Sequence, residues 1–297
     1  MSTPIPNPVT QWLTSVVGLH QCLETIQDKD RSTVWRISAR DSMLIVKYVK
    51  TMDRWQREVH AYRAWSGALK PYAPELISAS AEHRCLVLTS LKGKPMKDTR
   101  LPEALALKAY ESAGRLARRF HDAAVGSFFG DPDSEGRPMG EMWTDSVAFM
   151  MGSFMPAFER VMKNGELDAR ARAVAEWGQR NLDAFAGQPS VPVNPDFDTG
   201  NWLVDECEGF IGLIDFEYAR WGVEHETFIP IWTRDYARLC AGAEQTFMSA
   251  YGYVATGDAD RRKRVGFITM ALQGVVYSLD HNPRSLEYHR DLLRKLE

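Results

Sequence analysis

The chain has 297 residues, of which 44% are hydrophobic and 25% are charged, and its formal net charge is −3. These values are ordinary for a globular protein, and the length allows a sizeable core without disulfide or metal staples. The slightly negative net charge argues against a molecule that is built as a whole to bind a polyanion such as nucleic acid.

The charge is unevenly distributed along the chain. Residues 1–130 carry 19 Lys and Arg against 12 Asp and Glu, whereas residues 131–297 carry 17 against 27. This asymmetry favours a basic half that faces a polyanionic ligand and an acidic half that faces a cation. A chance distribution over solvated helices would produce the same pattern.

The four cysteines, Cys22, Cys85, Cys207 and Cys240, show no CxxC spacing. They therefore predict neither a zinc site nor a redox pair, and they suit a reducing compartment. Residues 1–19 lack the basic and apolar regions of a signal peptide, and no run of about 18 apolar residues predicts a transmembrane helix. We expect a cytoplasmic protein with no membrane partner.

Short strands dominate the first part of the chain. Residues 34–37 place the polar Arg36 between apolar residues, and residues 43–49 are mostly β-branched or apolar, with a turn at Asp41-Ser42 between them. The remaining predicted elements of this part are a short helix at 9–20, a helix at 53–67 with apolar residues three and four apart, and strands at 76–77 and 85–89.

Helices dominate the second part. The predicted elements are an amphipathic helix at 103–121, a loop at 125–139, two helices within 141–186 separated near Asn164-Gly165, strands at 202–204 and 210–214, and mostly helix over 225–297. The order predicts an α+β, two-lobed protein. Residues 1–92 would form a small antiparallel-sheet lobe with a hinge at 89–93, and residues 93–297 a mainly helical lobe.

The segment 194–201, NPDFDTGN, carries the strongest chemical signal, together with IGLIDFE at 211–217. They give Asp-x4-Asn, two strands joined by a turn, and then Asp215. Phosphoryl transfer needs one carboxylate to accept the proton of the incoming hydroxyl, and amide and carboxylate oxygens to hold Mg²⁺ against the phosphates. A hairpin would bring Asn201 and Asp215 to one metal.

These residues resemble the catalytic loop and the Asp-Phe-Gly-like segment of the aminoglycoside phosphotransferase and choline kinase superfamily, a branch of the protein-kinase-like fold. The resemblance covers most of residues 30–240. It implies that Asp196 is the catalytic base, that Asn201 is a metal ligand and that Asp215 is the main metal ligand. It also implies ATP and Mg²⁺ as cofactors, with GTP not excluded.

Lys47 lies in an apolar strand, and Glu58 follows in the next helix. A lysine in such a place needs a counter-charge unless it faces solvent at a sheet edge. The pair looks like the family's strand lysine, which grips the α- and β-phosphates, and its glutamate partner. We therefore predict an ion pair between Lys47 and Glu58 that orients the nucleotide.

Residues 86–93 resemble the family's hinge, with Leu88 at the back of the adenine pocket and Thr89 and Leu91 offering backbone contacts. The segment 28–33 stands where a glycine-rich loop would cover the phosphates, but it contains no glycine. Ser32 and Thr33, with their backbone N–H groups, are predicted to contact the phosphates instead.

The chain has Asn194 where the family usually has histidine, a residue whose main role is to form hydrogen bonds that asparagine can partly replace. His121, at the end of the helix before the catalytic loop, is predicted to be structural. The acceptor candidates, each with a structural alternative, are Asp198, Glu217, Trp221, Glu224 and Glu226. An aromatic residue beside acidic ones suits a cationic ligand.

The sequence thus predicts an ATP-dependent O-phosphotransferase that phosphorylates a polar or cationic small molecule. The resemblance implies an antibiotic or related metabolite as acceptor, in resistance or self-protection. Two alternatives stay open: a metabolic kinase for choline, a sugar or an amino acid, and an inactive kinase-like binding protein, which Asn194 and the glycine-free segment would suit. No oligomeric state follows from the sequence.

Overall fold

The N-terminal part of the fold is an antiparallel sheet. A computed structural model describes residues 3–234 and 239–296. The strands of this sheet are β1 (His20–Asp28), β2 (Ser32–Ala39), β3 (Ser42–Val49), β4 (Leu76–Ser80) and β5 (Cys85–Thr89). Their spatial order is β1-β2-β3-β5-β4. Arg40 and Asp41 join β2 to β3 with φ angles of 47° and 64°, which match the twist of a two-residue hairpin turn.

Two helices pack against this sheet. Helix α1 (Asn7–Val17) buries Leu13 in a cluster with Trp35 and Ile37 of β2. Helix α2 (Met52–Ala64) turns one apolar face inward, with Trp55 and its neighbours three and four residues on buried. That buried face also carries a carboxylate, because the turn of the helix places Glu58 inside.

Helices form most of the remaining described chain. They are α3 (Glu103–His121), α4 (Ser146–Lys163), α5 (Ala169–Arg180), α6 (His225–Arg234), α7 (Ala243–Tyr251), α8 (Gly257–His281) and α9 (Leu286–Arg294). Helices α3 and α7 pack together in a core that includes Phe120, Trp202 and Phe247. Helices α4, α5 and α8 enclose a second core around Phe154 and Leu272.

Short strands connect these helices and hold the loops between them. Strands β6 (Lys94–Pro95), β10 (Trp202–Asp205) and β11 (Gly209–Leu213) form one antiparallel sheet. Another has the order β8-β7-β12-β9, from β7 (Phe129–Pro132), β8 (Pro138–Trp143), β9 (Val191–Val193) and β12 (Arg220–Gly222). The segment 194–201 therefore connects β9 of one sheet to β10 of the other.

The structure confirms the α+β architecture and corrects parts of the element prediction. The loop predicted at 125–139 contains β7 and the start of β8, because glycine and proline here shape a hairpin. Strand β1 was missed, since most of its side chains are exposed or half-buried and give no clear alternation. The predicted helical stretch 225–297 includes 235–238 and 297, which lie outside the described residues. The lobe boundary at residues 92 and 93 stays a prediction.

None of the helices in the described ranges is both long and apolar enough to cross a bilayer.

Candidate active site

The loop from Asn194 to Asn201 is shaped by its own polar side chains. The Asp198 carboxylate accepts the N–H of Gly200 at 2.9 Å, and the Asp198 carbonyl accepts the N–H of Asn201 at 2.9 Å. Phe197 is buried and anchors the loop against Trp202. The Asn201 amide then donates to the Asp196 carbonyl at 2.8 Å and to its carboxylate at 3.1 Å. The loop thereby fixes Asp196 beside Asn201.

Asn194 ties this loop to the segment that contains Asp215. Its side-chain N–H donates to the Asp215 carbonyl at 3.0 Å, and its side-chain oxygen accepts the Asp196 N–H at 3.0 Å. Its own backbone N–H donates to Thr227 at 3.1 Å. The asparagine therefore supplies hydrogen bonds that hold the two acidic segments together, as expected for a replacement of the family histidine.

The β10–β11 hairpin brings Asn201 and Asp215 to the same end. Trp202 pairs with Leu213, and the Ile214 N–H donates to the Asn201 carbonyl at 3.0 Å. Asp215 itself has φ +66°, a left-handed conformation that is uncommon for a residue other than glycine. Such strain persists only where the surroundings impose it, and it often marks a functional site.

Lys47 lies at the centre of three carboxylates. Its ammonium group is 2.8 Å from Glu58, 2.8 Å from Asp215 and 3.3 Å from Glu217. The predicted ion pair between Lys47 and Glu58 is thus present, and both side chains are buried. Burial disfavours the ammonium, but the surrounding carboxylates outweigh it and raise the pKa of Lys47 well above its ordinary value. Burial also raises the pKa of Glu58, against the opposing charge of Lys47.

The oxygen atoms around Lys47 could also hold a cation. Glu58, Asp215 and Glu217 each offer a carboxylate oxygen within 4.8 Å of the others. Asp215 is the most accessible of them, with 27% of its side chain exposed, and Asn201 adds an amide at the same end of the hairpin. Carboxylate and amide oxygens suit Mg²⁺. The residues present therefore fit the predicted metal, with the partly exposed Asp215 as the most accessible ligand and Lys47 as its neighbour.

Comparison with known proteins decides the family. A sequence model of the Phosphotransferase enzyme family matches residues 25–264. This chain belongs to that family. As a member it is a small-molecule kinase. No curated protein sequence matches the chain.

Solved structures show that this phosphotransferase shares its fold with known kinases of small molecules. A thermostable variant of aminoglycoside phosphotransferase APH(4)-Ia, in a ternary complex with AMP-PNP and hygromycin B, superposes with a TM-score of 0.70 at 17% identity, over 98% of each chain. The gentamicin complex of APH(2")-IIa gives 0.65 at 15% identity, over 98% of this chain and 96% of that one. A putative fructosamine-3-kinase from Thermobifida fusca gives 0.64 at 17% identity, over 98% and 99%.

The predicted hinge lies at the end of β5. Leu88 is buried, and the Thr89 N–H and hydroxyl group are both bonded to the backbone of Glu75, at 3.0 and 2.8 Å. The Thr89 N–H is therefore already engaged, which leaves the carbonyl as its backbone group for an adenine edge. Gly93 has φ +92°, and a Cβ there would lie 2.7 Å from the Val204 carbonyl, so the chain needs glycine where it leaves the hinge. The contacts of Leu88, Thr89 and Leu91 with nucleotide stay predictions.

Ser32 and Thr33 lie at the start of β2, at the tip of the β1–β2 hairpin. Both are buried. The Ser32 hydroxyl accepts from Gln27 at 3.0 Å, and the Thr33 hydroxyl donates to Asp28 at 3.0 Å. Their side chains therefore brace the turn, and a contact between this turn and phosphates stays a prediction.

Three of the predicted acceptor residues have internal partners, and their contacts with an acceptor stay predictions. Trp221 is 8% exposed and packs in the core, with its ring centroid 4.9 Å from that of Trp65. Glu224 accepts from the Tyr251 hydroxyl at 2.7 Å, and Glu226 pairs with Arg220. Packing, a hydrogen bond and an ion pair thus engage these three side chains within the fold.

The two other acceptor candidates also have internal partners. Asp198 accepts the Gly200 N–H within its own loop, and Glu217 lies 3.3 Å from the Lys47 ammonium group.

His121 is structural, as predicted. Its two ring nitrogens lie 2.8 Å from the hydroxyls of Tyr251 and Thr227, and burial lowers its pKa to about 3. The ring therefore stays neutral at ordinary pH. Through Thr227, which accepts the Asn194 N–H, it supports the 194–201 loop.

Sequence reasoning missed the arginines that hold the Asp215 segment against α2. Arg57 donates to the Glu217 carbonyl at 3.1 Å and pairs with Asp131, and Arg54 lies 3.5 Å from the Glu217 carboxylate. Both guanidinium groups also lie within 6 Å of the Tyr218 ring centroid, at 5.8 and 5.0 Å. Only the basic charge of residues 1–130 hinted at them.

Proposed function

We propose that this phosphotransferase transfers the γ-phosphoryl group of ATP, in the presence of Mg²⁺, to a hydroxyl of a small-molecule antibiotic or related metabolite. The observation that carries the proposal is the union of two segments in one site: Asp196 and Asn201 on the catalytic loop, and Asp215 beside Lys47. Asn194 joins the two segments directly. Such a set of groups suits positioning and charge neutralisation, on which phosphoryl transfer depends.

In this proposal each residue has a defined task. Asp196 accepts the proton of the attacking hydroxyl, and Asn201 keeps the Asp196 carboxylate oriented. Lys47, positioned by Glu58, contacts the nucleotide phosphates, while Asp215 and Asn201 hold the metal. Bound Mg²⁺ would neutralise charge on the phosphates. The Thr89 carbonyl and the Leu91 backbone would bind the nucleotide base at the hinge.

The nature of the acceptor is proposed from two supports. The described relatives include complexes with hygromycin B and gentamicin, and the second part of this chain is acidic. A metabolic kinase is the second candidate, because the likeness to a putative fructosamine-3-kinase is nearly as close. The site contains Lys47, Glu58, Asp196, Asn201 and Asp215 together, which disfavours an inactive binding protein. Four free cysteines suit activity in the cytoplasm.

A screen for acceptor-dependent ADP formation tests the proposal. Purified protein would be incubated with ATP, Mg²⁺ and a panel of aminoglycosides, choline, sugars and amino acids. We expect ADP release that depends on one class of hydroxyl compound, and GTP in place of ATP would show the nucleotide preference. A panel in which no compound raises ADP formation above that of protein alone would contradict the proposal.

A further inference from the structure

Three arginines from the N-terminal part of the fold surround the ring of Tyr218, which lies three residues after Asp215. Its ring centroid is 5.7 Å from the guanidinium carbon of Arg31, 5.0 Å from that of Arg54 and 5.8 Å from that of Arg57. Each distance is within the range at which an aromatic face attracts a cation. Because like charges repel one another, an anion would stabilise this arrangement.

The three guanidinium groups differ in how far their charge is already matched. Arg57 pairs with Asp131. Arg54 has one long ion pair, 3.5 Å from the Glu217 carboxylate. Arg31 is exposed, and no carboxylate within the described ranges lies at ion-pair distance from it. Arg31, and in part Arg54, therefore keep N–H groups that a ligand can use.

Arg31 lies in the turn between β1 and β2, the segment predicted to cover the phosphates. Part of the donor capacity of this turn is already used, since the Thr33 hydroxyl donates to Asp28 and the Lys29 N–H donates to the Ser32 carbonyl, both at 3.0 Å. The turn also has no glycine, the residue that allows a backbone to approach a ligand closely. A long side chain at the tip can supply the contact instead.

One carboxylate connects these arginines with the Lys47 cluster. An oxygen of Glu217 is 3.5 Å from Arg54, and its other oxygen is 3.3 Å from the Lys47 ammonium group, which also lies 2.8 Å from Asp215. The contact between Arg31 and Tyr218 therefore joins the covering turn to the segment that begins with the proposed metal ligand.

We propose that Arg31 and Arg54 bind the terminal phosphate of the nucleotide and that the ring of Tyr218 positions both guanidinium groups. The inference rests on the proposed function and adds two residues to its nucleotide site. A guanidinium group held against a ring face keeps its N–H edge free, and that edge matches two phosphate oxygens. Arg31 thereby replaces the backbone amides that a glycine-rich turn would offer.

Calorimetric titration with two nucleotides tests the inference without turnover. AMP-PNP has a terminal phosphate and ADP lacks it, and both are titrated with Mg²⁺ and without acceptor. We expect Arg31→Gln to weaken AMP-PNP binding roughly tenfold, as for a lost hydrogen bond to a charged group, and to leave ADP affinity within about twofold of wild type. Arg40→Gln is the matched control, because Arg40 is also exposed and lies in the turn at the other end of β2.

Two further pairs of variants separate the positioning role from a general effect on the fold. Arg54→Gln should weaken AMP-PNP selectively, whereas Arg63→Gln, on the same helix and paired with Glu135, should not. Tyr218→Leu should lose part of the same selectivity, and Tyr218→Phe should retain it, because the ring and not the hydroxyl contacts the guanidinium groups. Loss in Tyr218→Phe equal to that in Tyr218→Leu would contradict this role of the ring.

The outcomes distinguish this inference from the proposed function. Equal weakening of AMP-PNP and ADP by Arg31→Gln, or the same effect from Arg40→Gln, would overturn the inference although phosphoryl transfer stands. An unchanged affinity for AMP-PNP with a raised KM for a phosphorylated sugar would place the anion on the acceptor and would also overturn it. Selective loss of AMP-PNP affinity, in a protein that forms no ADP with any acceptor, would support the inference and contradict the proposed function. Absence of binding of both nucleotides to the wild type would contradict both.

Discussion

Removal of the Lys47 charge should lower the free energy of unfolding far more than removal of a lysine charge at the surface. Lys47→Met keeps the length of the side chain but leaves Glu58, Asp215 and Glu217 close together without their shared cation. Glu58 is fully buried and Lys47 is 5% exposed. Breaking a buried ion pair by removing one partner costs about 3–5 kcal/mol, because the remaining charge is buried without compensation.

The chain offers a matched control in Lys70. Its ammonium group is also 2.8 Å from a carboxylate, that of Glu75, but the two side chains are 57% and 56% exposed. An exposed pair of this kind contributes about 0.2–1 kcal/mol. Urea denaturation of Lys47→Met and Lys70→Met should therefore show losses of unfolding free energy that differ by at least about 2 kcal/mol.

The pH dependence shows whether the loss is electrostatic. Burial already raises the pKa of Glu58, and without Lys47 the pKa must rise further. A carboxyl group whose pKa is raised in the folded state stabilises that state while it is protonated, and this contribution is lost as pH rises through the folded-state pKa. The loss of unfolding free energy in Lys47→Met should therefore be smaller at pH 5.5 than at pH 8. Double substitution with Glu58→Gln should recover part of the loss. Equal deficits for Lys47→Met and Lys70→Met at both pH values would refute this reasoning.

Three further predictions concern the catalytic loop and a buried histidine. Asp196→Asn should keep the fold and the affinity for nucleotide but lower kcat roughly 10²–10⁴-fold, the usual loss for a general base; near-normal turnover of the folded variant would exclude this role. Asn194→Ala removes the side-chain bonds to Asp196 and Asp215 and should lower kcat roughly 10- to 100-fold, whereas Asn194→His should retain more activity; equal activity of the two variants would contradict a bridging role. Burial lowers the pKa of His225 to about 3, so the unfolded state takes up a proton below pH 6.5 that the folded state does not. Between pH 6.5 and 5 the wild type should therefore lose about 2 kcal/mol of unfolding free energy relative to His225→Leu, and parallel urea midpoints across that range would contradict this.

The sequence predicted the framework of the site because its signals are local. Asp196 and Asn201 are five residues apart in one short loop. The two apolar runs that follow are joined by a polar turn and predict a hairpin, which brings Asp215 back beside Asn201. Lys47 within an apolar strand required a counter-charge, and Glu58 on the buried face of α2 supplies it. The 103–121 helix was predicted with its observed limits, since its apolar residues recur with a helical period throughout.

Other features depend on contacts between distant segments, which one sequence does not display. Arg57 contacts Asp131 and Glu217, 74 and 160 residues away, and no local pattern marks these partners. Trp221 and Glu226 are close to Asp215 in sequence, but Trp221 packs against Trp65 and Glu226 pairs with Arg220, contacts that the motif does not display. The β7–β8 hairpin was missed because its residues were predicted as a loop.

Phosphorus NMR of the complete reaction tests the central claim most directly. Wild-type protein and Asp196→Asn, at equal folded concentration, would be incubated with ATP, Mg²⁺ and the best acceptor of the panel. The proposed phosphotransferase should convert ATP into ADP and one new phosphomonoester resonance in equal amounts, and the variant should form little of either. Release of ADP and inorganic phosphate without a phosphorylated acceptor, or equal product from both proteins, would contradict the account.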